Sequence, residues 1–144
     1  MTPTPKSIGY FFPAEFAPHQ STWLSWPHKE ASWPGKIETI FPSYVAFIKT
    51  LTRFEGVNIN VVDETMKQLA TAMLEAAGVD MGKVAFFLHP TNDAWCRDHG
   101  PAFLLNKLEP NKKAIVDWSY NAWGNKYPPF DLDDVIPTLI GKQL

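Results

Sequence analysis

Apolar residues at Ile37, Ile40, Phe41, Tyr44, Val45, Ile48, Leu51 and Phe54 recur in steps of three and four, the spacing that places them on one face of a helix. Pro42 falls in its first turns, where a missing N–H costs little, and Gly56 follows its last apolar residue as a stop signal. Residues 57–62 alternate β-branched and polar side chains and read as a strand. Met66, Leu69, Ala70, Met73, Leu74 and Ala77 return to the helical spacing, and Gly78 closes that helix. The apolar run 84–88 predicts another strand, and residues 21–26 predict an earlier one that Pro27 stops.

Two more strands, 102–105 and 114–118, are joined by a polar turn around 109–112, short enough for a hairpin. Val135, Ile136, Leu139 and Ile140 give residues 131–141 a helical pattern with no strand after it to pack under, so the C-terminus reads as a truncation. Residues 1–7 are polar and proline-bearing and read as a loose end. Residues 10–16 are too aromatic to stay in water and too broken by Pro13 for a helix, which predicts a packed extended segment. The β-α-β-α-β order followed by a hairpin indicates an α/β layered unit with a mixed sheet.

A chain of 144 residues, 45% hydrophobic and 19% charged, suits one domain or part of one, so residues 1–144 are treated as a single unit. Its formal net charge of −2 supplies no basic field, which sets a nucleic-acid partner aside. No apolar run approaches the roughly 20 residues of a membrane helix, and the start lacks the apolar stretch of a signal peptide, so a cytoplasmic location without membrane attachment is expected. The single cysteine, Cys96, excludes an internal disulfide. Six Trp and thirteen Pro gather at 23–34, 95–101 and 118–129, which predicts three loops with aromatic contents.

The chemistry concentrates in Thr91-Asn92-Asp93-Ala94-Trp95-Cys96-Arg97-Asp98-His99-Gly100-Pro101, between two apolar runs. A strand that leaves the core and at once presents polar groups is how an α/β protein builds a site on rigid supports. A carboxylate beside an indole face, Asp98 or Asp93 with Trp95, is half of a guanidinium or amine site: the acid is a bidentate acceptor and the ring a cation–π wall. The alternative is an internal salt bridge of Asp98 with Arg97 or a lysine, with Trp95 filling core. Cys96 and His99 have the spacing of half a zinc site, but no second cysteine completes the common ligand sets. They could instead be thiolate and base. In an extended segment, however, Cys96 and Asp98 share one face while Trp95, Arg97 and His99 share the other, so a buried, inert thiol is expected. His19, His28 and His89 stand alone and read as surface or hydrogen-bonded histidines. Asn121 and Trp123, followed by Gly124, either line a pocket or close a turn, and aromatic loops of this kind also occur in carbohydrate-binding modules.

Four motifs carry a resemblance. Tyr10 with Pro13-Ala14-Glu15-Phe16, then Trp26-Pro27, then Asn92-Asp93-Ala94-Trp95-Cys96-Arg97-Asp98-His99-Gly100-Pro101, then Asn121-Ala122-Trp123-Gly124 resemble, in the same order, the motifs of the agmatine deiminase and bacterial peptidyl-arginine deiminase family. Phe16 stands where Trp is common, and Asn125 where a second glycine often follows. The resemblance implies an α/β propeller, the pentein fold of pseudo-fivefold ββαβ modules with mixed sheets, of which this chain would be the N-terminal portion. It implies hydrolysis of a guanidine to a ureido group with loss of ammonia, through a cysteine-linked amidino intermediate and without a metal or organic cofactor. Agmatine is the expected substrate, with peptidyl-arginine or free arginine as the alternative. Asp98 then corresponds to a guanidinium-binding aspartate, Trp95 to the wall beside it and Trp123 to the pocket mouth, with Asn92 and Asp93 as further substrate-binding residues. Arg97 becomes the residue that fixes local backbone and charges. The family's histidine, second aspartate and nucleophilic cysteine lie in later modules, and Cys96 occupies a position that the motif leaves variable. The expected partner is a small guanidine, and self-association into a homo-oligomer stays open.

Overall fold

The computed structural model describes residues 2–143. Three parallel strands lie in the order β2 (Ser21–Ser25), β3 (Gly56–Val61) and β4 (Val84–Leu88), linked by α1 (Ile37–Leu51) and α2 (Glu64–Ala76). β3 is central because one side of it is wholly apolar. Val57, Ile59 and Val61 are buried against Val45 and Ile48 of α1 and Ala70 and Leu74 of α2. Both helices pack on β3 and on each other, and therefore cover the same face of the sheet. Asp63 starts α2 by accepting the Met66 N–H at 2.8 Å, which satisfies one of the free donors of the first turn.

The alternate residues of the same strands form a polar and aromatic face. Asn58 Nδ2 donates to Ser21 Oγ at 3.0 Å and Asn60 Nδ2 to Ser25 Oγ at 3.1 Å, while Trp23 packs on Phe87 with ring centroids 4.6 Å apart. α1 ends at Leu51, earlier than the apolar periodicity predicts, because the chain must turn there to feed β3 at Gly56; Phe54 is left exposed in that turn.

β1 (Tyr10–Phe11), β5 (Ala102–Asn106) and β6 (Lys113–Val116) form a separate antiparallel sheet in the order β1-β5-β6. The expected single mixed sheet is thus two sheets, each of one sense. The connection 89–101 turns the chain away after β4, so β5 pairs with the N-terminal strand and its own hairpin partner. Within the stretch read as a loose end, a 3₁₀ turn at Lys6–Ile8 is held by Asn106 Nδ2 donating to the Ile8 carbonyl at 3.0 Å. The segment after β1 is not packed as predicted, since Phe12 and Phe16 are exposed and Phe16 is 94% accessible. Pro13 ends the pairing, and no described element covers these rings.

The C-terminal pattern resolves into two short helices, α5 (Asp131–Asp134) and α6 (Ile136–Gly141), broken before Pro137. Contrary to expectation α6 has something to pack on: it lies against β6, with Ile136 and Ile140 fully buried and Gly141 close to the Ile115 side chain. Among the described residues no helix is long and apolar enough to cross a membrane.

Ile59 is fully buried at the centre of this core. Ile59→Ala should lower unfolding free energy by about 2–5 kcal/mol, read from denaturant titration; a loss below about 1 kcal/mol would show that another residue anchors the core.

Candidate active site

The carboxyl ends of β2 and β4 release the two loops that carry the motifs, the place where open parallel sheets present their ligand sites. Both ends are held at one level by a buried polar row. Asn60 Oδ1 accepts from His89 Nδ1 at 3.0 Å while the same amide donates to Ser25. His28 bridges the loops, its Nδ1 3.0 Å from the Trp26 carbonyl and its Nε2 3.0 Å from the Thr91 carbonyl. His28 and His89 are thus hydrogen-bonded supports, and His19 is another, contacting the Glu15 carbonyl and Glu55.

The central motif is not extended. Residues Cys96–His99 form a single helical turn, α3, with Asp98 N donating to the Trp95 carbonyl at 2.9 Å and His99 N to the same carbonyl at 3.1 Å. The two-face alternation expected of a strand therefore does not apply. The turn closes on the Trp95 carbonyl, with Asp98 and His99 one turn along the backbone from Trp95 and the His99 ring set against Tyr120. Cys96 points inward to Ser25, and burial pushes its thiol up to about 11, so it stays protonated at neutral pH. The thiol faces Ser25 for a different geometric reason than the strand reading gave. Gly100 closes the turn, where an added Cβ would lie 2.4 Å from the Cys96 carbonyl oxygen. Arg97 points outward and pairs with Glu15, tying the N-terminal motif to this turn. Asp98 is left exposed, with no ion pair or hydrogen bond to its carboxylate among the described residues.

An aromatic ladder joins the three predicted loops. Trp33 stacks on Trp95 at 5.6 Å, Trp95 meets Trp123 edge-on at 6.4 Å, Trp123 meets Tyr120 at 5.8 Å, and Tyr120 meets His99 at 5.9 Å. Trp95 and Trp123 remain 41% and 48% accessible, so both rings keep surface for a ligand. Trp123 is presented by α4 (Ala122–Asn125), a turn whose four residues all have positive φ, from 47° at Ala122 to 81° at Gly124. This conformation costs roughly 1–2 kcal/mol per non-glycine residue and is tolerated best by Gly and Asn, which is why Asn125 can stand where a second glycine is common. Asn121 offsets part of the cost by accepting the Gly124 N–H at 2.9 Å. An apolar hollow of about 360 Å³ adjoins the Trp33–Trp95 stack, lined also by Pro27, Ile40, Tyr44 and Phe47; Asp98 lies outside it.

Asn92 and Asp93 are engaged internally. Asp93 accepts from Ser32 Oγ and from the Ala94 N–H, and lies 3.6 Å from Lys29 Nζ. Asn92 Oδ1 accepts the Leu132 N–H at 2.8 Å. Four residues of the cluster were not singled out from sequence: Trp33, Tyr120, Asp133 and, as a member of the ladder, His99. Trp33 and Tyr120 lay within the recognised aromatic loops, whereas Asp133 had no signal beyond an acidic helix start.

Burial governs the electrostatics. His99 is 2% exposed, and desolvation outweighs the Asp93 charge and the nearby backbone groups of His99 and Asp93 to lower its pKa to about 4. Tyr120 is pushed up to about 12, by desolvation and then by the charges of Asp133, Asp98 and Asp93. The result is a neutral aromatic lining beside an unneutralised carboxylate, a combination suited to a flat cation. Among the described residues no three His, Cys, Asp or Glu side chains converge to hold a metal ion.

The family model described as Porphyromonas-type peptidyl-arginine deiminase matches residues 11–144. The chain is 31% identical over 140 residues to an agmatine deiminase of Stutzerimonas stutzeri (strain A1501), covering 94% of this chain and 36% of that protein. It is 32% identical over 140 residues to one of Ectopseudomonas mendocina (strain ymp), with the same 94% and 36% coverage. A C. jejuni agmatine deiminase structure with substrate bound superposes with a TM-score of 0.75 at 27% identity, covering 93% of this chain and 37% of that one. The chain spans little more than a third of the length of these relatives.

Two expectations follow from the site. Because the fold lowers the His99 pKa, its neutral ring stabilises the folded state fully above about pH 6.5, and that contribution is lost as pH falls from 6.5 through about 4. Unfolding measured across this window should show the wild type losing on the order of 2–3 kcal/mol more than His99→Phe; equal pH profiles would mean the ring is hydrated in the fold. Cys96 should resist a thiol reagent in the folded chain and react on denaturation, and rapid labelling of the native protein would contradict its burial.

Proposed function

The chain belongs to the Porphyromonas-type peptidyl-arginine deiminase family, and from that premise we propose that it forms one wall of the active site of a guanidine C–N hydrolase. The substrate is agmatine, converted with water to N-carbamoylputrescine and ammonia. The observation that carries the reading is the Asp98 carboxylate, exposed and unpaired one helical turn from Trp95.

A guanidinium is planar, permanently charged and resistant to nucleophiles until carboxylates orient it. In this reading Asp98 accepts two of its N–H groups, Trp95 walls the cation, and Trp123 stands at the mouth. Asn92 and Asp93 act from behind, holding the loop through their own hydrogen bonds. A cysteine outside these residues supplies the thiolate that adds to the guanidinium carbon. The C–N bond then breaks, one nitrogen leaves protonated as ammonia, and water hydrolyses the amidino-thioether to the urea and frees the thiolate. A histidine and a second aspartate outside these residues manage protons and complete the grip. No organic or metal cofactor takes part.

The unit forms the first one or two modules of a pentein propeller, and alone it lacks turnover. The setting is cytoplasmic, the partner is the small guanidine, and a homo-oligomer is compatible with the reading. The description of the matching family model favours a second reading, peptidyl-arginine or free arginine as substrate. The ladder's exposed rings are also what a non-catalytic sugar-binding module would present, and that reading provides no use for the unpaired acid.

Ammonia release by the complete enzyme from agmatine, arginine and a peptidyl-arginine decides the substrate, and agmatine should give the highest kcat/KM. Asp98→Asn keeps shape and deletes charge, so it should lower kcat/KM by about 10²–10³-fold. Unchanged activity in that variant would remove Asp98 from the grip on the guanidinium, and no release from any guanidine would remove the enzyme reading.

A further inference from the structure

Trp95 and Asp98 follow a stretch, 89–95, without regular backbone pairing, and they face a second irregular stretch, 117–121, that leads to Trp123. Neither stretch can hold its own geometry. Both are instead bonded to one short helix. Asp133 Oδ1 accepts the Asn92 N–H at 2.8 Å and the Asp93 N–H at 3.2 Å. Asn92 Oδ1 returns the contact, accepting the Leu132 N–H at 2.8 Å and the Asp133 N–H at 3.3 Å. The next residue, Asp134, accepts the Tyr120 N–H at 2.6 Å through Oδ1.

Successive residues of a helix point about 100° apart, so two adjacent acids can reach the loops on either side of α5. Two of the first-turn N–H groups of α5, those of Leu132 and Asp133, are taken up by Asn92. Asp133 is 2% exposed and lies in the same buried network as Asp93, whose carboxylate Lys29 partly neutralises at 3.6 Å. Burying a carboxylate without a close cation is costly unless backbone donors hold it, and two do.

We infer that Asp133 and Asp134 are positioning residues, a pair of neighbouring acids that sets the spacing between the Trp95/Asp98 turn and the Tyr120/Trp123 loop. The inference deepens the guanidine reading proposed above and rests on it for its catalytic consequence. The 6.4 Å separation of Trp95 and Trp123 is the dimension that the pair maintains.

The test uses the complete enzyme and two readouts: the part of the far-ultraviolet exciton couplet that Trp123→Phe removes, which isolates the edge-on Trp95–Trp123 pair from the Trp33–Trp95 stack, and kcat and KM for agmatine. Asp133→Ala should weaken the couplet and lower kcat about a hundredfold with a smaller change in KM, as expected when a reacting group is displaced by about an ångström. Asp133→Asn keeps an oxygen acceptor and should restore both readouts. Asp134→Ala, on the less buried side, should weaken the couplet in a chain that remains folded. Ile136→Ala removes packing from the adjoining helix without touching these bonds, and should lower stability while leaving couplet and kcat unchanged. The inference is overturned if Asp133→Ala and Asp134→Ala both keep the couplet, if Asp133→Asn falls as far as the alanine variant, or if Ile136→Ala matches their losses. Should the complete enzyme release no ammonia from any guanidine while Asp133→Ala loses the couplet, the positioning role stands and the guanidine reading falls.

Discussion

Asn60 lies at the middle of the parallel sheet, 1% exposed, with its amide between Ser25 on one neighbour and His89 beyond the end of the other. A buried amide left without partners costs about 1–3 kcal/mol, so the three strands are stable together only when their carboxyl ends stand at one level. That constraint brings the loop after β2 and the loop after β4 out of the core side by side. His28 then spans the gap between the Trp26 and Thr91 carbonyls, and the short chain from Thr91 to Trp95 has a fixed place to start. Desolvation lowers the His89 pKa, so its contact with Asn60 is that of a neutral ring.

Above this row the site is assembled mainly by aromatic contacts. Each ring pair contributes roughly 0.5–1.5 kcal/mol beyond area burial. The ladder from Trp33 through Trp95 and Trp123 to Tyr120 therefore offsets the strain of the left-handed turn that presents Trp123. A stiff residue would not tolerate that backbone, and Gly124 and Asn125 are the residue types that do. Cys96 and Gly100 fill the floor beneath, where there is no room for a larger group.

The electrostatic arrangement follows from which charges are answered. Asp93 has Lys29 and Ser32, Asp133 has two backbone N–H groups, and Arg97 has Glu15. Asp98 has none of these, and its charge contributes to raising the neighbouring Tyr120 phenol. His99, buried and neutral, supplies no compensating cation. A surface with one unanswered carboxylate beside open indole faces attracts a delocalised cation more than a hydrated ammonium, because the guanidinium sheds water at lower cost and stacks on the rings.

The periodicities of 3.6 and 2 in the sequence were enough to locate α1, β3 and α2, because each buries one apolar face, and an uninterrupted apolar run located β4. That the three aromatic loops meet was legible only as a clustering of Trp and Pro, and the residues of Asn121-Ala122-Trp123-Gly124 left pocket and turn equally open. The turn at Cys96–His99 was not legible, because eleven residues rich in polar side chains carry no period, and the strand reading of their two faces failed with it. Separate sheets in place of one mixed sheet, the seat of α6 on β6, and the bonds from Asp133 and Asp134 joined residues up to 41 positions apart or more. Such pairings depend on where the chain returns after a turn. A sequence states which residues want partners, and only the folded path decides which partners they meet.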